Sequence, residues 1–194
     1  MKDLQNEEQR RRAIDWAVAL TAETPLAPEQ YEWELLEHYA QGKLTLQQVI
    51  NKLDNRVQHL LYHSTATHLM SESDLTVLVE QSQMWNERHN ITGLLCYSSS
   101  GHFVQVLEGA AVDVHALFTK IRQDTRHYQV LTLSDNATPT RWFADWRMAY
   151  IGVEPHEVYW LLGYLEAKGH NLLKPQIPLI PSHLLTLVEE FSKL

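Results

Sequence analysis

The sequence contains a single cysteine, Cys96, among 194 residues. One cysteine cannot form an internal disulfide, which excludes the disulfide-stabilised scaffolds typical of small secreted domains. Cys96 lies in an apolar run that predicts a β-strand, so we expect it to be a small buried hydrophobic side chain. The core must then be held together by apolar packing rather than by cross-links.

Long apolar runs are also absent. No stretch approaches the roughly 20 consecutive apolar residues that a membrane-spanning helix needs. The first residues are polar and charged, unlike those of a signal peptide. We therefore expect a soluble protein of the cytoplasm.

Basic residues are few relative to acidic ones. Lys and Arg number 16 and Asp and Glu number 24, which gives a net charge of −8 with histidine neutral. Nucleic-acid-binding surfaces rely on clustered Lys and Arg, so this balance argues against such a partner. The 11 histidines are scattered, and we predict no metal site, phosphate-binding loop or nucleophile–base pair.

The most informative stretch is ITGLLCYSSSGHFVQVLEG, residues 91–109. Two apolar runs flank a polar connection that contains Gly101, which predicts a β-hairpin. Side chains alternate along a strand, so Phe103, Gln105 and Leu107 share one face, and Val104 and Val106 share the other. Since both faces are apolar, the second strand is predicted to be central and covered on both sides.

Gln105 is then a polar amide among hydrophobic neighbours. Burying it without hydrogen bonds would cost a few kcal/mol. One interpretation is a core amide satisfied by nearby backbone. The other is a functional amide, and the wider sequence pattern favours it.

Alternating periodicities predict the fold class. A β-rich run at residues 57–64 precedes a helix capped by Ser71, then the hairpin, then a helix at residues 112–123. Further strands are predicted at residues 128–134 and 142–151. The order β-α-β-β-α-β with an added strand predicts an α+β, ferredoxin-like sheet with two helices on one face.

Several short segments recur in a set order and spacing along this part of the chain. They are Leu61-Tyr62-His63-Ser64-Thr65-Ala66-Thr67, Met70-Ser71-Glu72-Ser73-Asp74-Leu75, Asn86, the hairpin, Asp124-Thr125-Arg126-His127 and Arg141-Trp142-Phe143-Ala144-Asp145-Trp146-Arg147-Met148. Together they closely resemble the BLUF domain, a blue-light sensor that uses FAD, over residues 57–153. The resemblance implies a photoreceptor that binds FAD non-covalently.

The resemblance also implies roles for individual residues. The flavin ring would lie between Leu78 and Ile121, with Asn86 bonded to its polar edge. Asp124, Arg126 and His127 would contact the ribityl chain or lie near the phosphates, although a solvated helix-ending turn is the simpler interpretation of these three. Lys120 and Arg122 are further possible phosphate partners.

The implied photochemistry centres on Tyr62 and Gln105. A phenol can give up an electron and a proton, and an amide exchanges donor and acceptor when it rotates or tautomerises. By resemblance, Trp146 and Met148 on the last strand would respond to this change, with ordinary core packing as the alternative for Trp146. Trp85 departs from the family, which usually has Asn or His at this position in contact with the flavin edge. An indole can stack, donate one hydrogen bond or supply an electron.

The predicted organisation has three parts: a helical N-terminal extension at residues 1–56, the sensor at 57–153, and a C-terminal helical extension at 154–194. Apolar helical stripes in both extensions predict a homo-oligomer. We expect no enzymatic output, and a signal passed to a separate protein partner. The alternatives are a light-insensitive flavin-binding or redox protein and a ferredoxin-like module without a cofactor.

Overall fold

The computed structural model describes residue 4, residues 6–24 and residues 26–153. These residues form two compact units. The first contains the described part of residues 1–58 together with 136–140, and the second contains residues 59–135 and the described residues from 141 onward. The helices predicted beyond residue 153 lie outside the described part of the chain.

The elements follow the predicted order. The helices are α1 (Glu7–Thr21), α2 (Gln30–Ala40), α3 (Leu46–Asp54), α4 (Glu72–Arg88) and α5 (Ala111–Arg122). The strands are β1 (Val57–Ala66), β2 (Thr92–Ser98), β3 (His102–Gly109), β4 (His127–Thr138) and β5 (Ala149–Val153).

The first unit is built on α1, α2 and α3. The Thr45 hydroxyl accepts a hydrogen bond from the Gln48 amide and so caps α3. The basic run on α1 is paired locally: Arg11 contacts Glu7 and Glu37 at 2.8 and 2.7 Å. These ion pairs therefore lie on an exposed face of the helix.

The five strands form one sheet in the order β4-β1-β3-β2-β5, the ferredoxin-like arrangement with β5 added beside β2. β2 and β3 pair as the predicted antiparallel hairpin, with Leu95 opposite Gln105, and β5 runs parallel to β2. Gly101, in the turn between β2 and β3, adopts a φ of 84°, a conformation that glycine adopts readily. A Cβ at Gly93 would overlap the Val106 carbonyl oxygen, so the two strands approach closely only because this residue is glycine.

Each face of the sheet carries its own core. On one face, Leu60, Tyr62, Phe103 and Leu107 pack with side chains of α4 and α5. Ser71 caps α4 through the Asp74 amide, as predicted. On the opposite face, a second cluster is formed by Leu61, Leu94, Cys96, Val104, Val106, Phe143 and Val153. Cys96 is buried in β2 as expected, and β3 is covered on both faces.

The last strand begins later than predicted. Residues 142–148 were expected to be strand because they are rich in aromatic side chains, but β5 starts at Ala149. Residues 143–146 instead make a turn in which the Trp146 amide donates to the Phe143 carbonyl at 2.9 Å. The amides of Trp142 and Phe143 donate to the Glu108 carboxylate rather than to a neighbouring strand.

Within the described residues, no helix is both long and apolar enough to cross a bilayer. The same part of the chain contains no group of three or more His, Cys, Asp or Glu side chains arranged to hold a metal ion.

Candidate functional site

A cavity of about 370 Å³ lies in the second unit between the sheet and helices α4 and α5. This volume is within the range of small-molecule sites. The side chains that line it are Tyr62, Met70, Leu78, Gln81, Ser82, Trp85, Asn86, Leu95, Phe103, Gln105, Leu117, Lys120, Ile121, Asp124, Arg126, His127 and Met148. The list includes the nine side chains predicted to contact the cofactor, which are Tyr62, Leu78, Trp85, Asn86, Gln105, Ile121, Asp124, Arg126 and His127. Lys120, the further phosphate candidate, also lines the cavity, whereas Arg122 does not.

Tyr62 and Gln105 meet at the centre of the sheet. They stand on the neighbouring strands β1 and β3, and both are almost fully buried, at 4% and 5% exposed. The Tyr62 hydroxyl donates a hydrogen bond to Gln105 Oε1. Burial, with a smaller contribution from the Asp124 carboxylate, raises the pKa of the Tyr62 phenol. The hydroxyl is therefore held protonated as a donor.

The other end of the Gln105 amide contacts a sulfur atom. Gln105 Nε2 donates to Met148 Sδ at 3.2 Å. A thioether can only accept, so it matches the amide nitrogen and would leave the amide oxygen without a donor. Tyr62 and Met148 together therefore select one orientation of the Gln105 amide.

Asn86 brings a spare acceptor to the cavity. Its side chain is fully buried, and Nδ2 donates to the Arg147 carbonyl at 2.6 Å. Asn86 Oδ1 is buried and has no hydrogen-bond partner among the described residues, and the same holds for Trp85 Nε1. Because buried polar atoms are normally paired, these two atoms favour a ligand with a polar edge.

Trp85 is held between two side chains. The His89 ring stacks on the indole with centroids 4.0 Å apart, and Lys120 Nζ lies 3.3 Å from the indole centroid. The His89 ring and the Lys120 ammonium are both too close to the indole to lie on the same side of it, so they cover opposite faces. The ring faces are thus taken, and the N–H edge is the part of Trp85 left for a ligand.

The charged turn after α5 is paired internally. Arg126 Nε donates to Asp124 Oδ1 at 3.0 Å, and a second nitrogen contacts Oδ2 at 2.5 Å. Arg126 lowers the pKa of the Asp124 carboxyl through these bonds. His127 Nε2 donates to the Ile121 carbonyl at 2.7 Å, and its Nδ1 is 2.8 Å from the Ser64 hydroxyl. The imidazole therefore lines the cavity with both nitrogens already engaged.

The apolar walls come from both helices and the sheet. Leu78 on α4 and Ile121 on α5 are partly buried and line the cavity from their two helices. Leu95 and Phe103 line it from the strands, and the sequence reasoning did not name them as site residues. Their positions could have been found from the hairpin, because Leu95 lies opposite Gln105 and Phe103 is two residues before it.

Met148 and Trp146 lie in different surroundings. Met148 is 2% exposed and faces the cavity, whereas Trp146 packs with the cluster on the opposite face of the sheet. The Trp146 ring stacks on Phe143 with centroids 5.5 Å apart. The structure therefore brings Met148, but not Trp146, to Tyr62 and Gln105.

The family model described as "Sensors of blue-light using FAD", abbreviated BLUF, matches residues 57–149. The matched range contains both strands of the Tyr62–Gln105 pair, both helices over the cavity and Met148. Residues 57–149 form a BLUF domain. Its cofactor is FAD, and its architecture is the ferredoxin-like fold of that family.

Two curated relatives of this chain are much longer proteins. "Photoactivated adenylate cyclase subunit beta" of Euglena longa is 38% identical over 94 residues, which are 46% of this chain and 11% of that protein. "Blue light- and temperature-regulated antirepressor BluF" of Escherichia coli K12 is 31% identical over 101 residues, 50% of this chain and 24% of that protein. The chain thus spans between about a tenth and a quarter of these two relatives.

Among solved structures, "BlrB - a BLUF protein, dark state structure" is similar to this chain. It is 31% identical, and the match covers 59% of this chain and 84% of BlrB with a TM-score of 0.49.

Proposed function

We propose that this BLUF chain senses blue light through the hydrogen bonds that join Tyr62, Gln105 and Met148. The observation that carries the proposal is the single orientation of the Gln105 amide, bonded at one end to a phenol and at the other to a thioether. Such an amide has one alternative arrangement, reached by exchanging its oxygen and nitrogen. Two discrete arrangements are what a switch requires.

The cavity fits the isoalloxazine ring of FAD. Leu78 and Ile121 offer apolar walls from two helices, as a planar aromatic body needs. Asn86 Oδ1 is a buried acceptor without a partner, and Trp85 Nε1 is a buried donor without one. In this proposal they hold the polar edge of the ring. Asp124, Arg126 and His127 line the same cavity, and in this proposal they contact the ribityl chain or lie near the phosphates.

The residues then act in order. Bound FAD supplies a strong oxidant when it is excited by blue light. Tyr62 is buried within reach as an electron donor, and Gln105 Oε1 is placed to take the proton from its hydroxyl. The electron and the proton would then return to Tyr62, and the Gln105 amide would be left rotated or tautomerised, with its donor group toward Tyr62 and its bond to Met148 Sδ broken. No substrate is consumed.

The output belongs to residues 141–148. Met148 lies at their end, and its backbone carbonyl accepts a hydrogen bond from Gln83 on α4 at 3.1 Å. A movement of Met148 would therefore shift both this segment and α4. We propose that a protein partner or output domain reads this change, and that the helical extensions make the chain a homo-oligomer; both statements stay predictions.

The test is the absorption spectrum of the purified full chain before and after blue light. We expect a yellow protein whose flavin absorption moves slightly to the red on illumination and returns in darkness without added reductant. Gln105→Leu removes both amide groups at similar bulk, so it should keep FAD and lose the shift. A normal, reversible shift in Gln105→Leu would contradict the mechanism. Bleaching of the wild type that reverses only with an added oxidant would favour the alternative of a redox flavoprotein.

A further inference from the structure

Glu108 is a fully buried carboxylate at the end of β3, three residues after Gln105. Alternation along the strand puts its side chain on the face opposite to Gln105. The proposed light response does not use it. A buried charge at this position needs an explanation, because removing a carboxylate from water costs several kcal/mol unless its oxygens are bonded.

Both carboxylate oxygens are well supplied with donors. Oε1 accepts from the Trp142 amide at 2.8 Å, and Oε2 accepts from the Phe143 amide and the Thr92 hydroxyl, each at 3.0 Å. His59 Nε2 lies 3.4 Å from Oε1. Burial raises the pKa of the Glu108 carboxyl, and the donated hydrogen bonds oppose that shift.

Arg141 donates hydrogen bonds to the same cluster. Its guanidinium donates to the Thr92 hydroxyl and the Glu108 carbonyl, each at 2.8 Å, and to the Asn90 carbonyl at 2.6 Å. Burial lowers the pKa of Arg141, while the Glu108 carboxylate opposes this effect. The Glu108 carboxylate and the Glu108 backbone carbonyl therefore both accept hydrogen bonds from the start of residues 141–148.

The segment that starts at this cluster ends at Met148. Between its ends it is a turn without strand pairing, fixed by the Gly93 amide, which donates to the Trp146 carbonyl at 2.9 Å. Asn86 and Gln83 then bond the carbonyls of Arg147 and Met148. An apolar side chain at position 108 could fill the space, but it could not accept the two amides at the start of the turn.

We propose that Glu108 is a positioning residue for the light response. Its carboxylate binds the start of residues 141–148 to β3. Because Gln105 is also on β3, this contact holds Met148 Sδ against the Gln105 amide. The inference rests on the proposed function and deepens it. Glu108 acts through Met148, because its side chain lies on the opposite face of β3 and does not line the cavity.

The test measures dark recovery of the light-induced shift in the full chain with FAD bound. Glu108→Gln keeps the size of the side chain but replaces one acceptor oxygen with an NH₂ group that faces a backbone donor. We expect recovery to slow by about fivefold or more, the effect of one net hydrogen bond. The reason is that Met148 Sδ, which accepts from the Gln105 amide in the dark state, is no longer held in place. In a Met148→Leu background the same change should alter recovery by less than about twofold, because coupled residues are not additive.

A purely structural role would give a different pattern. It would change recovery by the same factor in both backgrounds, and that result overturns the proposal, as does an unchanged rate in Glu108→Gln alone. Arg147→Met is the matched control: it removes hydrogen bonds from the same segment to Asn90 and Ile91 without touching Glu108. Its recovery should stay within about twofold of wild type, as expected for a surface bond of small net value.

A milder variant covers the case in which Glu108→Gln does not fold. Thr92→Val removes one donor to the carboxylate and the acceptor for Arg141, and it leaves both backbone bonds in place. It should slow recovery about twofold in the wild type and not in Met148→Leu, in keeping with partial loss of one hydrogen bond. Equal factors in both backgrounds would again overturn the inference. If the wild type itself shows no reversible shift, the proposed function fails first.

Discussion

The two faces of the sheet treat their buried polar groups in opposite ways. On the cavity face, Asn86 Oδ1 and Trp85 Nε1 have no partner among the described residues, and Gln105 is held by a phenol and a thioether. On the other face, both Glu108 oxygens accept hydrogen bonds from two backbone amides and a hydroxyl. Two buried polar atoms on the cavity face thus lack a hydrogen-bond partner among the described residues, whereas both oxygens of the Glu108 carboxylate are bonded.

This difference distinguishes polar groups that can change partner from a carboxylate that cannot. A polar group with spare capacity can take up a ligand or change partner at small cost, because the arrangements on either side of the change are similarly satisfied. A saturated buried carboxylate cannot change partner without losing several bonds at once. The chain therefore places its adaptable groups around the cavity and its fixed group on the opposite face of the strand that carries Gln105.

The largest effect on the adaptable face should come from Tyr62→Phe. The change deletes the hydroxyl, leaves Gln105 Oε1 without its donor and keeps the ring that packs on Phe118. We expect FAD to remain bound and the whole light-induced red shift to disappear, as measured by difference absorption. A reversible shift of normal size in this variant would show that the phenol is not part of the switch.

Asn86→Leu should have the next largest effect, on FAD affinity. It removes the unpaired Oδ1 and should weaken FAD binding by about tenfold, which corresponds to one buried hydrogen bond of about 1.4 kcal/mol. Gln83→Leu is the matched control, because Gln83 also bonds a carbonyl of residues 141–148 from α4 but does not line the cavity. Its affinity, measured by fluorescence titration, should stay within about threefold of wild type. Equal losses in both variants would mean that the contact to the segment, not Oδ1, matters.

Much of this arrangement could be predicted from the sequence. The hairpin, the cap at Ser71 and the strand order follow from periodicity and turn chemistry. The order of the motifs indicated that Tyr62 and Gln105 act together. These features depend on local pattern or on the resemblance to BLUF domains, so a single sequence was sufficient to find them.

Residues 142–148 show where sequence reasoning failed. Their aromatic side chains have the composition of a strand, yet the backbone turns because Glu108, more than 30 residues earlier, accepts its amides. No local pattern encodes that contact. The Met148 sulfur as the partner of Gln105 Nε2, and Lys120 over Trp85, are likewise contacts between distant segments that composition does not reveal.

Lys120→Met should have a smaller effect, through Trp85. The ammonium lies 3.3 Å from the indole centroid, and a positive charge there opposes removal of an electron from the ring. Without it, Trp85 becomes a better competitor to Tyr62 as electron donor. We expect a shorter flavin fluorescence lifetime and a yield of the red-shifted state lower by about twofold, the effect of a cation–π contact worth about 0.5 kcal/mol.

Lys120→Arg is the control for that experiment because it keeps the charge over the indole. It should retain the wild-type lifetime and yield. If Lys120→Arg and Lys120→Met behave alike, the charge does not tune Trp85, and the lysine serves another purpose at the cavity.

The smallest expected effect concerns His63, on the face opposite to the cavity. Burial and, to a lesser extent, the neighbouring His102, whose Nδ1 is 3.3 Å from His63 Nε2, lower the pKa of the His63 imidazole below 6.5. The folded state thus binds this proton less readily than the unfolded chain does. The corresponding stability is present above pH 6.5 and is lost as the pH falls through the lowered pKa.

We therefore expect His63→Gln to flatten the fall of the unfolding free energy as the pH drops below 6.5, while leaving the light-induced shift unchanged. Urea unfolding at a series of pH values, followed by flavin fluorescence, measures this slope. Glu108, whose pKa is raised, contributes stability that is lost as the pH rises, so it acts in the opposite sense. It is present in both proteins, and the difference between them isolates His63. An identical slope in wild type and His63→Gln would show that this face does not lose stability through His63 in acid.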